Sequence, residues 1–81
     1  MIKTVQYNVV CENKPGVLYR ITNILLKRKI NIELLTAYPI DSKKVSTVNF
    51  TVNVEESKIN NIAKQIKKII EVIDVNYLVI S

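Results

Sequence analysis

The sequence predicts an α+β fold: a four-stranded antiparallel sheet with two helices on one face, in the order strand, helix, strand, strand, helix, strand. Three observations carry this. Val48, Phe50, Val52 and Val54 alternate with Thr47, Asn49, Thr51 and Asn53. One face of that strand is wholly apolar and the other wholly polar, the pattern of an antiparallel sheet packed on one side only. Ile59, Ile62, Ala63, Ile66, Ile69 and Ile70 recur at helical spacing, with Lys58, Asn60, Asn61, Lys64, Gln65, Lys67 and Lys68 between them. The only glycine among 81 residues, Gly16, sits between an apolar run of period two and a run of helical period.

The first strand is expected over about Ile2 to Cys11. Val5, Tyr7, Val9 and Cys11 share one face, and Gln6 and Asn8 the other. The turn Asn13-Lys14-Pro15-Gly16 follows. Asn13 or Lys14 is the expected N-cap, and Pro15 suits a first helical turn because its missing N–H has no partner there anyway. The first helix runs to about Lys29, with Val17, Leu18, Ile21, Ile24 and Leu25 on one face. Lys27, Arg28 and Lys29 complement the dipole at its end. The second strand, Ile32 to Pro39, has Leu34 and Leu35 adjacent, which predicts partial cover on both faces. Pro39 marks its end or a sheet edge. Asp41-Ser42-Lys43-Lys44 reads as a hairpin tip and the Val48 strand as its partner. Ser57 is the expected N-cap of the second helix. The last strand, about Ile73 to Ile80, turns Val75, Tyr77 and Val79 to one face. Right-handed crossovers on one sheet make this order a ferredoxin-like βαββαβ sandwich.

A chain of 81 residues is expected to form one domain, residues 1–81, and a domain of this size buries only about 60% of its unfolded surface. Hydrophobic residues make up 48% of it. That excess predicts apolar surface covered by a partner, with a homodimer the default. Cys11 is the one cysteine, so no internal disulfide is possible, and it reads as a small core residue. No apolar leader segment opens the chain, and its longest apolar run is far too short to span a membrane. A reducing cytoplasmic location is therefore expected, with no membrane partner.

Twelve Lys and Arg against seven Asp and Glu give a net charge of +5. The cations are scattered over a helix end, a hairpin tip and an outer helix face, which favours solvated surface over a nucleic-acid footprint. Ferredoxin-like sheets that bind RNA stack bases on exposed aromatic residues. Here the polar face of the third strand carries none, and Phe50, Tyr7 and Tyr77 read as core-facing, so no nucleic-acid partner is expected.

Catalysis is not expected either. There is no histidine, and the carboxylates lie at element ends rather than in a dyad. One Cys and no His do not make a metal site, and one glycine makes neither a Walker nor a dinucleotide loop. A binding or regulatory role remains. The Gly16 turn lies beside the free N–H groups of a helix start, which can hold a small anion such as an amino-acid carboxylate. Taken alone, it reads first as a plain tight turn. Asn13 lies on that turn and Asn31 after the first helix. Asn31 reads singly as a helix C-cap in the left-handed region, but the pair can match both the ammonium and the carboxylate of an amino acid.

The element order together with Glu12-Asn13-Lys14-Pro15-Gly16-Val17-Leu18 resembles an ACT domain, a family of small amino-acid sensors. Arg28-Lys29-Ile30-Asn31-Ile32-Glu33-Leu34-Leu35-Thr36 is similar to the segment after the first helix in acetolactate synthase small subunits. Leu18-Tyr19-Arg20 and Asp74-Val75 fall in register with the same subfamily. The resemblance implies a non-catalytic regulatory subunit of branched-chain amino acid biosynthesis. Its partner would be the acetolactate synthase catalytic subunit, which carries thiamine diphosphate, Mg²⁺ and usually FAD, so that this chain itself needs no cofactor. It further implies a homodimer or higher oligomer through sheet edges. Valine would be the effector between two ACT domains, held by Asn13, Gly16, Val17 and Leu18 on the turn and by Asn31 and Ile32 at the start of the second strand. Two alternatives stay open: a stand-alone amino-acid-binding ACT regulator of another enzyme, and a dimerisation module without ligand. The chain departs from the family in having Lys29 where a glycine is usual and Tyr38 where a small residue is usual. Small subunits also usually continue into a second domain.

Overall fold

The computed structural model describes residues 1–81. Its elements follow the predicted order: β1 Ile2–Glu12, α1 Val17–Lys27, β2 Ile32–Ile40, β3 Val45–Glu55, a short 3₁₀ turn Glu56–Lys58, α2 Ile59–Lys67 and β4 Val72–Val79. The four strands form one sheet in the order β2-β3-β1-β4, and every neighbouring pair is antiparallel.

Period-two patterning sets the core. Val5, Tyr7, Val9 and Cys11 of β1 and Val48, Phe50, Val52 and Val54 of β3 are all buried. Residues of α1 (Val17, Ile21, Leu25) and of α2 (Ile59, Ile62, Ile66), with Val72, close over them. No charged or amide side chain is buried with them. Tyr7 faces Phe50 across the strands, with ring centroids 5.1 Å apart and nearly parallel. Its hydroxyl donates to the Ile59 carbonyl at 2.7 Å, so the core's phenol is satisfied by the first turn of α2.

The helix ends depart from expectation. The N-cap of α1 is Gly16, not Asn13 or Lys14, and no side chain caps it. At the other end the Ile30 N–H donates to the Leu25 carbonyl and the Lys29 N–H to the Leu26 carbonyl. This is a Schellman motif, and its left-handed residue is Lys29 at φ 57°, not Asn31. Ser57 lies in the 3₁₀ turn and caps nothing; α2 starts after it, with Lys58 as N-cap. Beyond Lys67 the N–H groups of Lys68 and Ile69 bond three residues back. The tightened turn swings Ile70 off the apolar stripe, leaving it 90% exposed.

Both outer strands are barer than the sequence predicts. Every residue of β2 after Ile32 is exposed, including Leu34, Leu35, Tyr38 and Ile40. β2 is an edge strand, and neither helix packs closely on it. Pro39 is tolerated there because an edge can spare one ladder donor. On β4, Tyr77 lies on the core side as expected, opposite Tyr7 and with its ring against that of Tyr7, but it is left partly exposed. α2 has only nine residues, too short to cover β4 along its length.

Candidate functional site

The turn that joins β1 to α1 is built by two residues. The Lys14 carbonyl accepts from the Val17 N–H at 3.4 Å, which places Pro15 and Gly16 at the two central positions. Gly16 has φ 86° and ψ −14°, the third-position values of a type II turn, with proline suited to the position before it. A Cβ added at Gly16 would meet nothing within 4 Å. The glycine is therefore required by its backbone angle, while the space in front of it is open.

Because no side chain caps α1, its first donors stay free. The N–H groups of Gly16, Leu18 and Tyr19 have no acceptor within the chain. They stand at the positive end of the helix, suited to an anion. Beside them lies a cleft of about 190 Å³ between the turn, the end of β2 and the start of β3. Cys11, Val17, Leu18, Ala37, Pro39 and Val48 supply its apolar wall, and Glu12, Asn13, Lys14, Tyr38 and Ser46 its polar one.

Asn13 is already partly engaged. Its Nδ2 donates to the Lys43 carbonyl at 2.8 Å, and its Oδ1 accepts from the Ser46 hydroxyl at 2.9 Å. One N–H and one lone pair of the amide remain. Charges surround the turn. Lys14 Nζ lies 3.4 Å from Glu12 Oε1, and Arg20 Nη2 lies 2.7 Å from Glu71 Oε1. The Arg20 hydrogen bond, helped by a backbone bond, holds the Glu71 carboxyl below its ordinary range and raises Arg20. Burial pushes the Cys11 thiol up, so at the cleft it is a neutral, apolar wall rather than a thiolate.

Thus the structure gathers Asn13, Gly16, Val17 and Leu18 at one end of the molecule. It does not bring Asn31 and Ile32 to them. Asn31 is exposed and Ile32 half-buried at the start of β2, whereas the cleft lies at its end. At least five residue steps of strand, about 17 Å, separate Ile32 from Ala37, the nearest β2 residue of the cleft. Sequence reasoning missed Ser46 and Ala37. The alternation of β3, extended two residues back from Val48, turns Ser46 to the side of Cys11, and their pairing confirms that placement. The Ala37 position needed the β2 register, in which Ala37 faces Val48.

The family model for the AHAS small subunit-like ACT domain matches residues 8–74. The acetolactate synthase small subunit of Mycolicibacterium smegmatis is 37% identical over 68 residues, 84% of this chain and 40% of that protein. That of Bacillus subtilis is 41% identical over 64 residues, 78% of this chain and 37% of that protein. The crystal structure of the acetolactate synthase small subunit from Thermotoga maritima superposes with a TM-score of 0.80 at 27% identity, covering 93% of this chain and 47% of that one. The chain thus spans about two fifths of the length of these curated relatives. The fold, the turn and these likenesses agree, and the chain belongs to the family of AHAS small subunit-like ACT domains.

Proposed function

We propose that this chain is a regulatory, non-catalytic part of acetolactate synthase, and that it binds valine between two copies of itself. One observation carries the reading: the two halves of the site stand at opposite ends of an exposed edge strand. A single copy cannot assemble them. When β2 pairs antiparallel with β2 of a second copy, the start of each strand meets the end of the other. Asn31 and Ile32 of one copy then come beside the cleft and the Gly16 turn of its partner. The exposed Leu34, Leu35, Tyr38 and Ile40 are covered in the same event.

The chemistry suits a small aliphatic amino acid. The free N–H groups of Gly16, Leu18 and Tyr19 receive its carboxylate. Val17 and Leu18 with Ala37 and Val48 receive an aliphatic side chain. The Asn31 amide oxygen of the second copy accepts from the ammonium, and the spare valence of Asn13 stands at the rim. Ligand bound across the seam favours the paired state, and that differential affinity is what a regulatory subunit transmits to its catalytic partner.

Two measurements test the reading. Mixing the protein with its cognate acetolactate synthase catalytic subunit is expected to raise pyruvate turnover. Calorimetric titration with the twenty amino acids is expected to select valine or another branched-chain member. A preference for a non-branched ligand, with no effect on turnover, favours an ACT regulator of a different enzyme. A stable dimer that binds no amino acid leaves only a dimerisation module.

A further inference from the structure

We infer that Asn13 is a latch: a positioning residue that ties the ligand-binding turn to the β2–β3 hairpin and so sets the end of the strand that meets the second copy. Three hydrogen bonds make the tie. The Asn13 backbone N–H donates to the Lys44 carbonyl at 3.0 Å, its Nδ2 to the Lys43 carbonyl at 2.8 Å, and the Ser46 hydroxyl donates back to its Oδ1 at 2.9 Å. Asn13 thus serves two successive tip carbonyls and the start of β3. Little else supports the tip. Asp41, Ser42, Lys43 and Lys44 are exposed, and their own backbone contributes two bonds at 3.1 Å.

The tip needs that support because its backbone is strained. Asp41, Ser42 and Lys43 stand at φ 49°, 56° and 67°, three successive non-glycine residues in the left-handed region. Such a run persists only where its surroundings over-determine it. The hairpin begins at Ile40, the last residue of β2, and Pro39 and Ala37 of that strand line the cleft. Loosening the tip therefore disturbs both the cleft wall and the edge that would pair. The ligand arm of this inference rests on the amino-acid reading above; the latch itself does not. A ligand that takes the spare N–H of Asn13 leaves the three bonds in place, so ligand and hairpin order strengthen one another. Linkage makes that coupling reciprocal.

The test uses Asn13→Ala and, in that background, a tip rebuilt by Ser42→Asn and Lys43→Gly. Asn and Gly hold left-handed angles without a latch. Hydrogen exchange at the Lys43 and Lys44 amides, self-association by sedimentation and valine affinity by calorimetry are compared, with core amides of β1 and β3 as the folding control. Asn13→Ala is expected to speed tip exchange and to weaken self-association and valine binding, each by about tenfold, with the core unchanged. The rebuilt tip is expected to restore all of them to within about threefold of the parent. Unchanged tip exchange in Asn13→Ala overturns the latch. A rebuilt tip with valine affinity still at the Asn13→Ala level overturns the positioning role, because Asn13 then acts by touching the ligand. If the parent binds no valine, the amino-acid reading fails, and exchange and self-association decide the latch by themselves.

Discussion

Lys29 and Gly16 occupy the same left-handed region at opposite ends of α1, one as a lysine and the other as a glycine. Exchanging their chemistry measures what that backbone region costs. At φ 57°, an L-residue costs about 1–2 kcal/mol relative to glycine. Glycine gives back about 0.4–1 kcal/mol through its freer unfolded chain. Lys29→Gly is thus expected to stabilise the fold by about 0.5–1 kcal/mol. The Schellman bonds use only backbone atoms and survive the change, and Lys29 forms no ion pair. For a domain of this size, 1 kcal/mol shifts Tm by about 4–8 °C. The gain should appear as a rise in Tm and in urea midpoint with the m-value unchanged, at fixed protein concentration. Lys29→Ala is the control: it removes the same charge but keeps the strained angle, so it gains nothing. If Lys29→Gly proves no more stable than Lys29→Ala, the reasoning is wrong. Gly16→Ala is the converse. Its Cβ meets no atom of the chain, so the loss is the backbone term alone, about 1 kcal/mol. A loss several times larger reports a second copy pressed against the turn.

Tyr7→Phe removes the hydroxyl donor to the Ile59 carbonyl, which is the first carbonyl of α2 and keeps its intrahelical partner, so it should cost about 0.5–1.5 kcal/mol in chemical denaturation without changing the m-value. The folded Glu71 carboxyl titrates below its ordinary 4.5, so its contribution to stability is present above that value and is lost as pH falls through the lowered one. Glu71→Gln should therefore flatten the acid limb of a stability profile below about pH 4.5 and leave its neutral region shaped as before. Asn31→Ala touches an exposed, unbonded side chain and should leave Tm unchanged while abolishing valine binding in calorimetry; retained affinity would place the ligand elsewhere.

Much of the fold was legible because it rests on local periodicity. The strict alternation of Val48 to Val54 could serve only a strand with one dry face, and all four apolar members are buried as read. The apolar stripe of α2 holds through Ile69, which packs against the core, and fails only at Ile70. There the tightening of a helix end, a matter of backbone bonds, overrides periodicity. The caps were the least legible features. Asn13 has the chemistry of an N-cap, but its side chain was claimed by a hairpin 30 residues away. Asn31 has the chemistry of a left-handed C-cap, but the helix stopped two residues earlier and Lys29 accepted the angle instead.

The order of elements, the buried faces and the special role of the lone glycine follow from the chain itself, because each depends on residues within one or two turns of one another. Which strand lies at the edge, and therefore that the residues near Gly16 and those near Asn31 end up a full strand apart, was decided by tertiary structure. Strand order comes from pairing between strands far apart in the chain, such as β1 with β3 and β4, and neither period nor propensity encodes it. That long-range choice is why the site proposed above needs two copies rather than one.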